Sequence, residues 1–388
     1  MPFVSALSQH PDAAEATGDV VGRVLEGLDA VPDLAVLFVS PDHLDAMAGI
    51  AATVRGVVSP RVLVGATAGA VVGGEHEVED GPAVSLWAAT LSAVPRPVRI
   101  TAVRTRSGVA VQGLPVTDLP EGGTLLLLAD PFSVPTEAVL DAVNGTGAGV
   151  RVAGGLASAA NAPGGNRLVL DGEVVSGGAV GVLLDASTAT TTVVSQGCRP
   201  VGTPMIVTGA EANVIRGLAG RPALERIEEL ARTADPGERT LLASGLNVGI
   251  AIDEHRATFG RGDFLVRSLV GADRASGALV VGEPVEVGTT VQFHVRDAEA
   301  ADEDLHELLA PVTGDAALLF TCNGRGSRLF GEPDHDARAV RDAIGVDAIA
   351  GMSCAGEFGP VGGRSFVHGF TASVVLFQDR PPSTLYMS

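Results

Sequence analysis

The sequence contains no lysine: among its 388 residues, the 26 basic side chains are all arginine, against 46 acidic ones, and the formal net charge is −20. Without lysine the chain can form neither a Schiff base with a substrate nor the lysine contact of a P-loop with phosphate. An acidic surface repels phosphate backbones and anionic lipids. We therefore expect neither nucleic acid nor an anionic membrane as a partner.

Cysteine is scarce as well. Cys198, Cys322 and Cys354 are an odd number without a C-x-x-C pair, which argues against a disulfide framework or a thiolate zinc site and is typical of a reducing cytoplasm. The first residues, MPFVSALSQHPD, lack the positive segment and the long apolar core of a signal peptide. No run of about 18 uncharged apolar residues is present. We expect a cytoplasmic protein with no membrane insertion, no metal and no cofactor.

Three similar stretches recur in a chain that has 50 glycines but only one Trp and one Tyr. In each, a strand pattern is followed by a polar loop, a helical stretch, a second strand, a glycine-rich turn and a last apolar strand. The spacing from the first strand to a glycine is similar in all three: Leu37 to Gly65, Leu127 to Gly154 and Phe320 to Gly351. We predict an α/β fold of two domains with mixed β-sheets flanked by helices, built on these three units.

The third glycine-rich turn, AIAGMSCAGEFGP from Ala348, carries the side chains of Ser353, Cys354 and Glu357. Glycines let backbone N–H groups face a guest, so this turn is suited to a small polar ligand. The alternative is a tight turn after a buried strand, in which Glu357 only caps the backbone. The second turn, residues 154–166, has neither an acid nor a thiol, which argues against three identical binding sites.

A further candidate is Arg325, which lies between two glycines and is predicted to be exposed and to hold a carboxylate or phosphate bidentately. The alternative is a salt bridge across the loop. Two other charged stretches receive structural interpretations. Residues 73–77 are predicted to form an exposed hairpin, and residues 333–336 to cap the helix that follows them.

The stretch SQGCRPVG places Cys198 and Arg199 just before a pair of predicted strands. The sequence pattern restarts near Gly220, so we divide the chain into an N-terminal domain of residues 1–219 and a C-terminal domain of residues 220–388. In the second domain, four strand candidates alternate as in an antiparallel meander: residues 242–252, 264–270, 278–281 and 290–295.

These motifs resemble those of FIST-domain proteins over nearly the whole chain. The resemblance rests on LFVSPDH and VGATAGA, on SQGCRPVGTPMIVTGAEANVIRGLAGRPAL, and on LLFTCNGRGSRLFGEPDHD and IAGMSCAGEFGP. It implies an N-terminal and a C-terminal FIST region, an intracellular bacterial sensory module that is proposed to bind small ligands such as amino acids, and no enzymatic activity. The C-terminal region also occurs in some eukaryotic F-box proteins, where it handles protein partners.

The resemblance also implies a set of polar, ligand-binding positions in the matching motifs: Ser40, Cys198, Arg199, Cys322, Arg325, Ser353, Cys354, Gly356 and Glu357. Residues 68–70 depart from the family, which often has a Gly-Glu pair there like Gly356-Glu357. This departure puts in doubt a ligand site that rests on the first turn. Because no output domain accompanies the FIST regions, we expect the signal to pass to a separate signalling protein.

Three functional hypotheses follow. In the first, a small ligand is sensed, with its carboxylate on Arg325 or Arg199 and its ammonium on Glu357. In the second, the protein is an enzyme with Cys354 as nucleophile, His368 as base and Glu357 as the orienting group. In the third, it is an interaction scaffold without a small ligand. We favour the first, because the glycine-rich loops, the absence of lysine and the acidic composition are compatible with it.

Overall fold

The computed structural model of the protein describes residues 2–105 and 108–379. The chain divides into two compact units. Unit one comprises the residues up to Val194, Leu305–Val367 and the residues from Thr371 on, and unit two comprises Ser195–Asp304 with His368–Phe370. Gly220 lies inside unit two, so the boundary placed there remains a prediction about sequence modules. The predicted domain limits at residues 1 and 388 lie outside the described residues.

The helices are α1 (Ala13–Gly27), α2 (Met47–Val57), α3 (Thr136–Asn144), α4 (Ala223–Thr233), α5 (Pro236–Ser244), α6 (Ala298–Leu309), α7 (Ser327–Phe330) and α8 (His335–Ile344). A 3-10 turn, Pro41–Ala46, precedes α2. None of the helices within the described ranges is long and apolar enough to cross a membrane.

The strands are β1 (Phe3–Ser8), β2 (Leu34–Val39), β3 (Val62–Thr67), β4 (Val71–Gly73), β5 (His76–Val78), β6 (Val84–Ala89), β7 (Arg96–Thr105), β8 (Gly108–Gln112), β9 (Thr124–Ala129), β10 (Arg151–Leu156), β11 (Leu168–Leu170), β12 (Glu173–Val175), β13 (Ala179–Leu184), β14 (Thr190–Gln196), β15 (Cys198–Glu211), β16 (Val214–Leu218), β17 (Arg221–Pro222), β18 (Leu246–Ala251), β19 (Phe264–Asp273), β20 (Ala278–Val281), β21 (Thr290–Arg296), β22 (Ala316–Cys322), β23 (Ile349–Cys354), β24 (Glu357–Val361), β25 (Arg364–His368) and β26 (Thr371–Phe377). The mixed α/β class is as predicted.

Unit one contains three mixed sheets that share one topology. Their strand orders are β1-β6-β2-β3-β11-β12 (sheet 1), β25-β24-β10-β9-β13-β7-β8 (sheet 2) and β14-β26-β22-β23-β4-β5 (sheet 3). In each sheet a parallel pair joined through a helix (β2/β3, β9/β10 or β22/β23) is flanked by an antiparallel return strand. We call these segments copy 1 (residues 34–89), copy 2 (124–184) and copy 3 (316–377).

The hairpin that follows each parallel pair joins the sheet of another copy. β4 and β5 follow β3 but extend sheet 3, where β4 pairs with β23. β11 and β12 follow β10 but extend sheet 1 beside β3, and β24 follows β23 but pairs with β10 in sheet 2. The three copies are therefore linked in a cycle by exchanged hairpins.

The glycines singled out by their spacing occupy one equivalent position in the three parallel pairs. Gly65 lies opposite Leu37, Gly154 opposite Leu127, and Gly351 opposite Leu319, one residue earlier than the predicted Phe320. A Cβ atom on these glycines would lie 2.6, 2.0 and 1.9 Å from the carbonyl oxygen of the facing leucine. The close approach of the two strands therefore requires glycine at all three positions.

The parallel strands are buried on both faces, as the continuous apolar runs predict. One face of each sheet contributes to a shared core that contains Phe38, Leu128 and Phe320, and Phe38 and Phe320 meet edge to face with ring centroids 6.0 Å apart. The opposite faces pack under helices: α1 and α2 on sheet 1, α3 on sheet 2, and α8 with the end of α6 on sheet 3.

Unit two is built on an antiparallel sheet of order β15-β21-β18-β19-β20-β16-β17, whose apolar side packs with residues of α4 and α5. The four predicted strands are present and antiparallel, but only β18, β19 and β20 form a meander, because β21 returns to pair with β18. One strand boundary also needs correction. Residues 242–244 belong to α5 and not to a strand, because Pro236 starts this helix and the Asp235 carboxylate caps it by accepting the N–H of Glu238.

Candidate functional site

A polar cleft of about 270 Å³ lies in unit one, at the carboxyl ends of the parallel strands. This edge of an α/β sheet is where ligands commonly bind. The strands β3, β10, β22 and β23 end beside it. The cleft is lined by Gly69, Ala70, Val72, Glu77, Glu79, Ser158, Asn161, Thr321, Cys322, Asn323, Arg325, Gly326, Arg328 and Ser353.

Arg325 lies in the loop after β22 and is buried, not exposed as predicted: its side chain has no accessible surface. Its Nε and Nη2 donate to the two oxygens of Asp336, at 2.6 and 2.8 Å, so the predicted alternative of a salt bridge is present. The ring centroid of Phe330 lies 5.2 Å from the guanidinium carbon of Arg325. The remaining nitrogen, Nη1, is buried and has no hydrogen-bond partner among the described residues. A buried guanidinium with one unused donor favours an anionic guest.

Asp336 keeps its charge despite being fully buried. Burial alone acts to raise the pKa of this carboxyl, but the Arg325 guanidinium outweighs it and holds the pKa at about 2. His335 is a further partner, with its Nδ1 3.0 Å from an Asp336 oxygen. Asp336 therefore fixes the orientation of Arg325 from the side of α8 and leaves Nη1 as the unused donor.

Glu77 is the residue that the sequence analysis misjudged most. The predicted exposed hairpin is real (β4 and β5), but the Glu77 side chain is only 8% exposed and lines the cleft. Its Oε1 accepts the N–H of Ala337 at 2.8 Å, and its own N–H donates to Asp334 at 2.7 Å. Burial and the charge of Asp336 raise the pKa of the Glu77 carboxyl to about 7.

Glu79 and Arg328 complete the charged lining. The Glu79 carboxylate accepts the N–H of Ser327 at 2.7 Å and also the hydroxyl of the same residue. Gly326 has a φ of +63°, and a Cβ atom there would lie 2.5 Å from an oxygen of Glu79. Glycine at this position therefore lets the Glu79 carboxylate approach the loop that carries Arg325.

The glycine-rich turns meet at the cleft through serine hydroxyls. Ser353 accepts the N–H of Ala70 at 2.8 Å, and Ser158 accepts the N–H of Gly69 at 2.9 Å while donating to the Ser353 carbonyl at 2.6 Å. Turns from all three copies thus contact one another. The first turn, which lacks the Gly-Glu pair of the family, takes part through its backbone.

The loops equivalent to the Arg325 loop are closed by their own side chains. Counting from the facing leucines, His43 and Ser133 occupy the positions of Arg325 in copies 1 and 2. Nε2 of His43 lies 3.1 Å from the carbonyl oxygen of His10. Ser133 donates to Asp130 at 2.7 Å and accepts the N–H of Gly178 at 2.8 Å. Only copy 3 therefore combines this loop with a buried arginine.

The predicted site residues are not brought together as one group. Cys322, Arg325 and Ser353 line the cleft. Ser40, Cys354, Gly356 and Glu357 lie elsewhere in unit one, and Cys198 and Arg199 belong to unit two. Ser40 accepts the N–H of Ala83 at 2.8 Å, and the Gly356 carbonyl accepts the N–H of Leu156 at 2.8 Å. Arg199 pairs with Asp297 at 2.6 Å, and Cys198 is buried.

Cys354 and Glu357 are both fully buried and are not among the residues that line the cleft. The Cys354 side chain belongs to the shared core, and burial raises the pKa of its thiol well above the usual value. Oε2 of Glu357 accepts the N–H and the hydroxyl of Thr371, at 3.2 and 2.7 Å. Burial raises the pKa of the Glu357 carboxyl to about 8, although these hydrogen bonds oppose the shift.

The site predicted from the sequence does not include Glu77, Glu79 or Asp336. Alternating charge in GEHEVE and the acids of EPDHD were visible, but each pattern is also typical of an exposed turn or a helix cap. What could have linked them is the repeat itself, since copy 1 supplies the hairpin and copy 3 the loop. Within the described residues, no group of three or more His, Cys, Asp or Glu side chains is placed to hold a metal ion.

Comparisons with known proteins cover almost the whole chain. The family model described as FIST N domain matches residues 33–221, and the model described as FIST C domain matches residues 223–360. An uncharacterized protein of Mycobacterium tuberculosis is 44% identical over 382 residues, which are 96% of this chain and 98% of that protein. An uncharacterized protein of Mycobacterium bovis is 43% identical over 376 residues, or 95% of this chain and 97% of that protein.

Proposed function

Because the chain belongs to the FIST family, whose domains are associated with sensory and signal-transduction functions, we propose that it senses a small polar ligand, an amino acid, bound in the cleft beside Arg325. The observation that carries this proposal is the unused Nη1 donor of Arg325. A buried charged donor without a partner costs free energy, and a guest carboxylate would supply the missing acceptor. Fixed by Asp336, the guanidinium would meet the guest without reorienting.

The charges around Arg325 favour a zwitterion over a simple anion. Glu77 and Glu79 line the same cleft, so a ligand that presents only negative charge would meet two carboxyl groups. An amino acid can place its carboxylate on Arg325 and its ammonium on these acids. In this assignment Glu77 and Glu79 replace Glu357, which lies outside the lining, as the partner of the ammonium group.

The size and polarity of the cleft agree with a metabolite. Pockets for drug-sized ligands measure roughly 300–1,000 Å³ and are mostly apolar. This cleft, at about 270 Å³, is slightly smaller, and charged or polar side chains form much of its lining. Ligand contacts there would lie next to Asp336 and Ala337 in the first turn of α8, which gives binding a route to this helix. We propose that a separate partner protein reads the change, in the cytoplasm.

The test is a thermal-shift screen of the full chain against the twenty standard amino acids, small carboxylates and nucleotides. A ligand at 100 times its dissociation constant stabilises a fold by about 2.7 kcal/mol, which is a readable shift. The informative variant is Arg325→Lys, since lysine retains a cation for Asp336 but lacks Nη1. We expect it to lose most of the shift given by an amino acid.

Arg364→Lys is the matched control, because this exposed arginine does not line the cleft. It should respond to amino acids as the unaltered protein does. The proposal fails if Arg325→Lys keeps the full shift, or if no amino acid stabilises the protein at millimolar concentration. A protein without any small-molecule response but with one dominant captured partner would favour the interaction scaffold.

The enzyme hypothesis built on Cys354 receives no support from the geometry. Its thiol is buried in the core, and a raised pKa leaves little of the nucleophilic thiolate at neutral pH. Alkylation of the native protein by iodoacetamide should leave Cys354 unmodified while Cys322, which is half-buried and lines the cleft, reacts. Rapid modification of Cys354 would restore the enzyme hypothesis.

A further inference from the structure

Two opposite charges in the cleft are tied to the same turn of α8 and each retains one unused atom. Arg325 is bound to Asp336 through Nε and Nη2, which leaves Nη1. Glu77 accepts the Ala337 N–H with Oε1, which leaves Oε2 without a hydrogen bond to any of the described residues. A cation site and an anion site are thus held side by side by residues 334–337, which is an arrangement suited to the two ends of an amino acid.

The charged surroundings of Glu77 come from every element around it. Along its own strand and the residues after it lie His76 and Glu79, and from the loop after β22 comes Arg325. The start of α8 contributes three more groups: Asp334, His335 and Asp336. Burial and Asp336 push the Glu77 carboxyl toward its protonated form, while the Ala337 N–H and Arg325 oppose them, and the resulting pKa of about 7 lies at neutral pH.

We propose that the cleft binds its amino acid through the ionised form of Glu77, so that each molecule bound to a protonated cleft expels one proton from this carboxyl. The inference rests on the proposed function. The step is balanced: the Glu77 O–H bond breaks, the proton goes to solvent, and the carboxylate left behind receives the ligand's ammonium group in an ion pair. The cleft then reports amino acid and proton concentration together.

The sign of the coupling depends on the ligand's charge. An ammonium group beside Glu77 favours the carboxylate, so binding releases a proton and affinity rises with pH until Glu77 is ionised. A ligand with a carboxylate alone would compete for Arg325, which helps keep Glu77 charged, and would therefore take up a proton and bind more weakly as pH rises. An amino acid and the same molecule without its ammonium group should show opposite pH dependence.

The experiment is isothermal titration calorimetry of the full chain at pH 6 and pH 8, each in two buffers of different ionisation enthalpy. The probes are the twenty standard amino acids and, for each that binds, the carboxylic acid without its α-amino group. With a pKa of about 7 for Glu77, its ionised fraction rises about tenfold from pH 6 to pH 8. We expect the dissociation constant for the amino acid to fall about tenfold, with close to one proton released per ligand at pH 6.

Two variants make the result specific. Glu77→Gln retains an acceptor for the Ala337 N–H but cannot ionise, so it should weaken binding at pH 8 at least tenfold and abolish both proton release and pH dependence. Glu75→Gln is the matched control: Glu75 pairs with Arg341 and does not line the cleft, so both properties should persist. Binding without proton release, or release retained in Glu77→Gln, overturns the inference and leaves the proposed function standing. No binding by any amino acid overturns both.

Discussion

The loops after β9 and β22 occupy equivalent places in copies 2 and 3, yet they differ in how their polar groups are satisfied. In copy 2, Asp130 accepts the Ser133 hydroxyl at 2.7 Å and the Asn166 amide at 3.0 Å, so the loop is closed by neutral donors. In copy 3, Arg325 and Asp336 form a buried ion pair that still leaves Nη1 unused. The same backbone arrangement can therefore carry a loop whose polar side chains satisfy one another or a loop that retains a buried donor without a partner. The second kind of loop is the better candidate for ligand binding.

The largest effect should come from breaking the ion pair of copy 3. Asp336→Ala leaves the Arg325 guanidinium buried without a counter-charge, which costs about 3–5 kcal/mol of unfolding free energy. Asp130→Asn in copy 2 keeps most of the hydrogen-bonding shape and should cost about 1 kcal/mol. Urea unfolding of both variants measures the contrast, and equal losses would show that the two loops are not different in kind. The double variant Arg325→Met with Asp336→Leu should be more stable than Asp336→Ala.

A feature that the two copies share should respond equally in both. Gly154→Ala and Gly351→Ala each place a Cβ atom within about 2 Å of a leucine carbonyl, at 2.0 and 1.9 Å. The parallel strands must then separate, and Gly154 also has a φ of +126°, so we expect each to lose about 3 kcal/mol of stability. Gly49→Ala, at a helical position with open space, is the control and should be neutral or stabilising. If only one of the strand variants were destabilised, the copies would not share this contact.

The two carboxyls with raised pKa values allow a third contrast, because Glu77 lines the cleft and Glu357 does not. With a folded pKa of about 8 against 4.5 for the ordinary carboxyl, Glu357 binds a proton in the folded but not in the unfolded chain between these values. The stability contributed by the protonated Glu357 carboxyl is fully present below pH 4.5 and is lost as the pH rises from there through 8. The free energy of unfolding of Glu357→Gln, taken relative to that of the unaltered protein, should therefore rise by about 2 kcal/mol from pH 5.5 to pH 7.5.

Denaturation of both proteins over this pH range measures that gain, and amino-acid binding by Glu357→Gln should remain as in the unaltered protein. A pH-independent difference in stability would contradict the raised pKa. Loss of ligand binding in this variant would move the site from the cleft toward the interior, and would favour the original assignment of the ammonium group to Glu357.

The smallest expected effect concerns the hydroxyls at the ends of β3 and β23. Thr67 accepts the N–H of Arg167 at 2.9 Å and Ser353 accepts that of Ala70 at 2.8 Å, whereas Leu156 holds the equivalent position at the end of β10. Thr67→Val and Ser353→Ala should each cost about 1 kcal/mol, as for the loss of one hydrogen bond. Ser92→Ala, at an exposed position, should cost less than about 0.5 kcal/mol. A cost near zero for the first two would show that water replaces the hydroxyl.

Much of the fold was predictable because it is written in local patterns. Continuous apolar runs such as Leu34–Val39 identified strands buried on both faces, and the recurrent glycines marked where the parallel strands approach most closely. The α/β class and the antiparallel strands of unit two followed from these periods, but the pairing of β21 with β18 did not. The start of α5 was missed because the apolar residues 241–242 continue into β18, and the Asp235 cap with Pro236 was the signal that decides between helix and strand.

The site was harder to predict because its residues come from different copies. Arg325 between two glycines suggested exposure, but burial of a charge is decided by its partner Asp336, eleven residues later and on a helix. Glu77 is buried by the pairing of β4 with β23, a contact between residues more than 250 positions apart. No local pattern encodes which sheet a hairpin joins, so the carboxyl groups of the cleft could not be assigned from the sequence.

Because each copy contributes its hairpin to the sheet of another copy, the three copies resemble a trimer whose sites are formed by residues of two neighbouring subunits. The charged residues of the cleft come from two copies: Glu77 lies in the hairpin of copy 1, and Arg325 lies in the loop of copy 3. Glu77 belongs to the hairpin that pairs with β23. In the hairpin that copy 2 contributes beside β3, the equivalent position is occupied by Val174. Since one chain encodes all three copies, each interface has been able to diverge separately, which a symmetric assembly of identical subunits cannot do. One interface between copies can then retain the residues that bind a ligand, while the other two serve only to hold the three copies together.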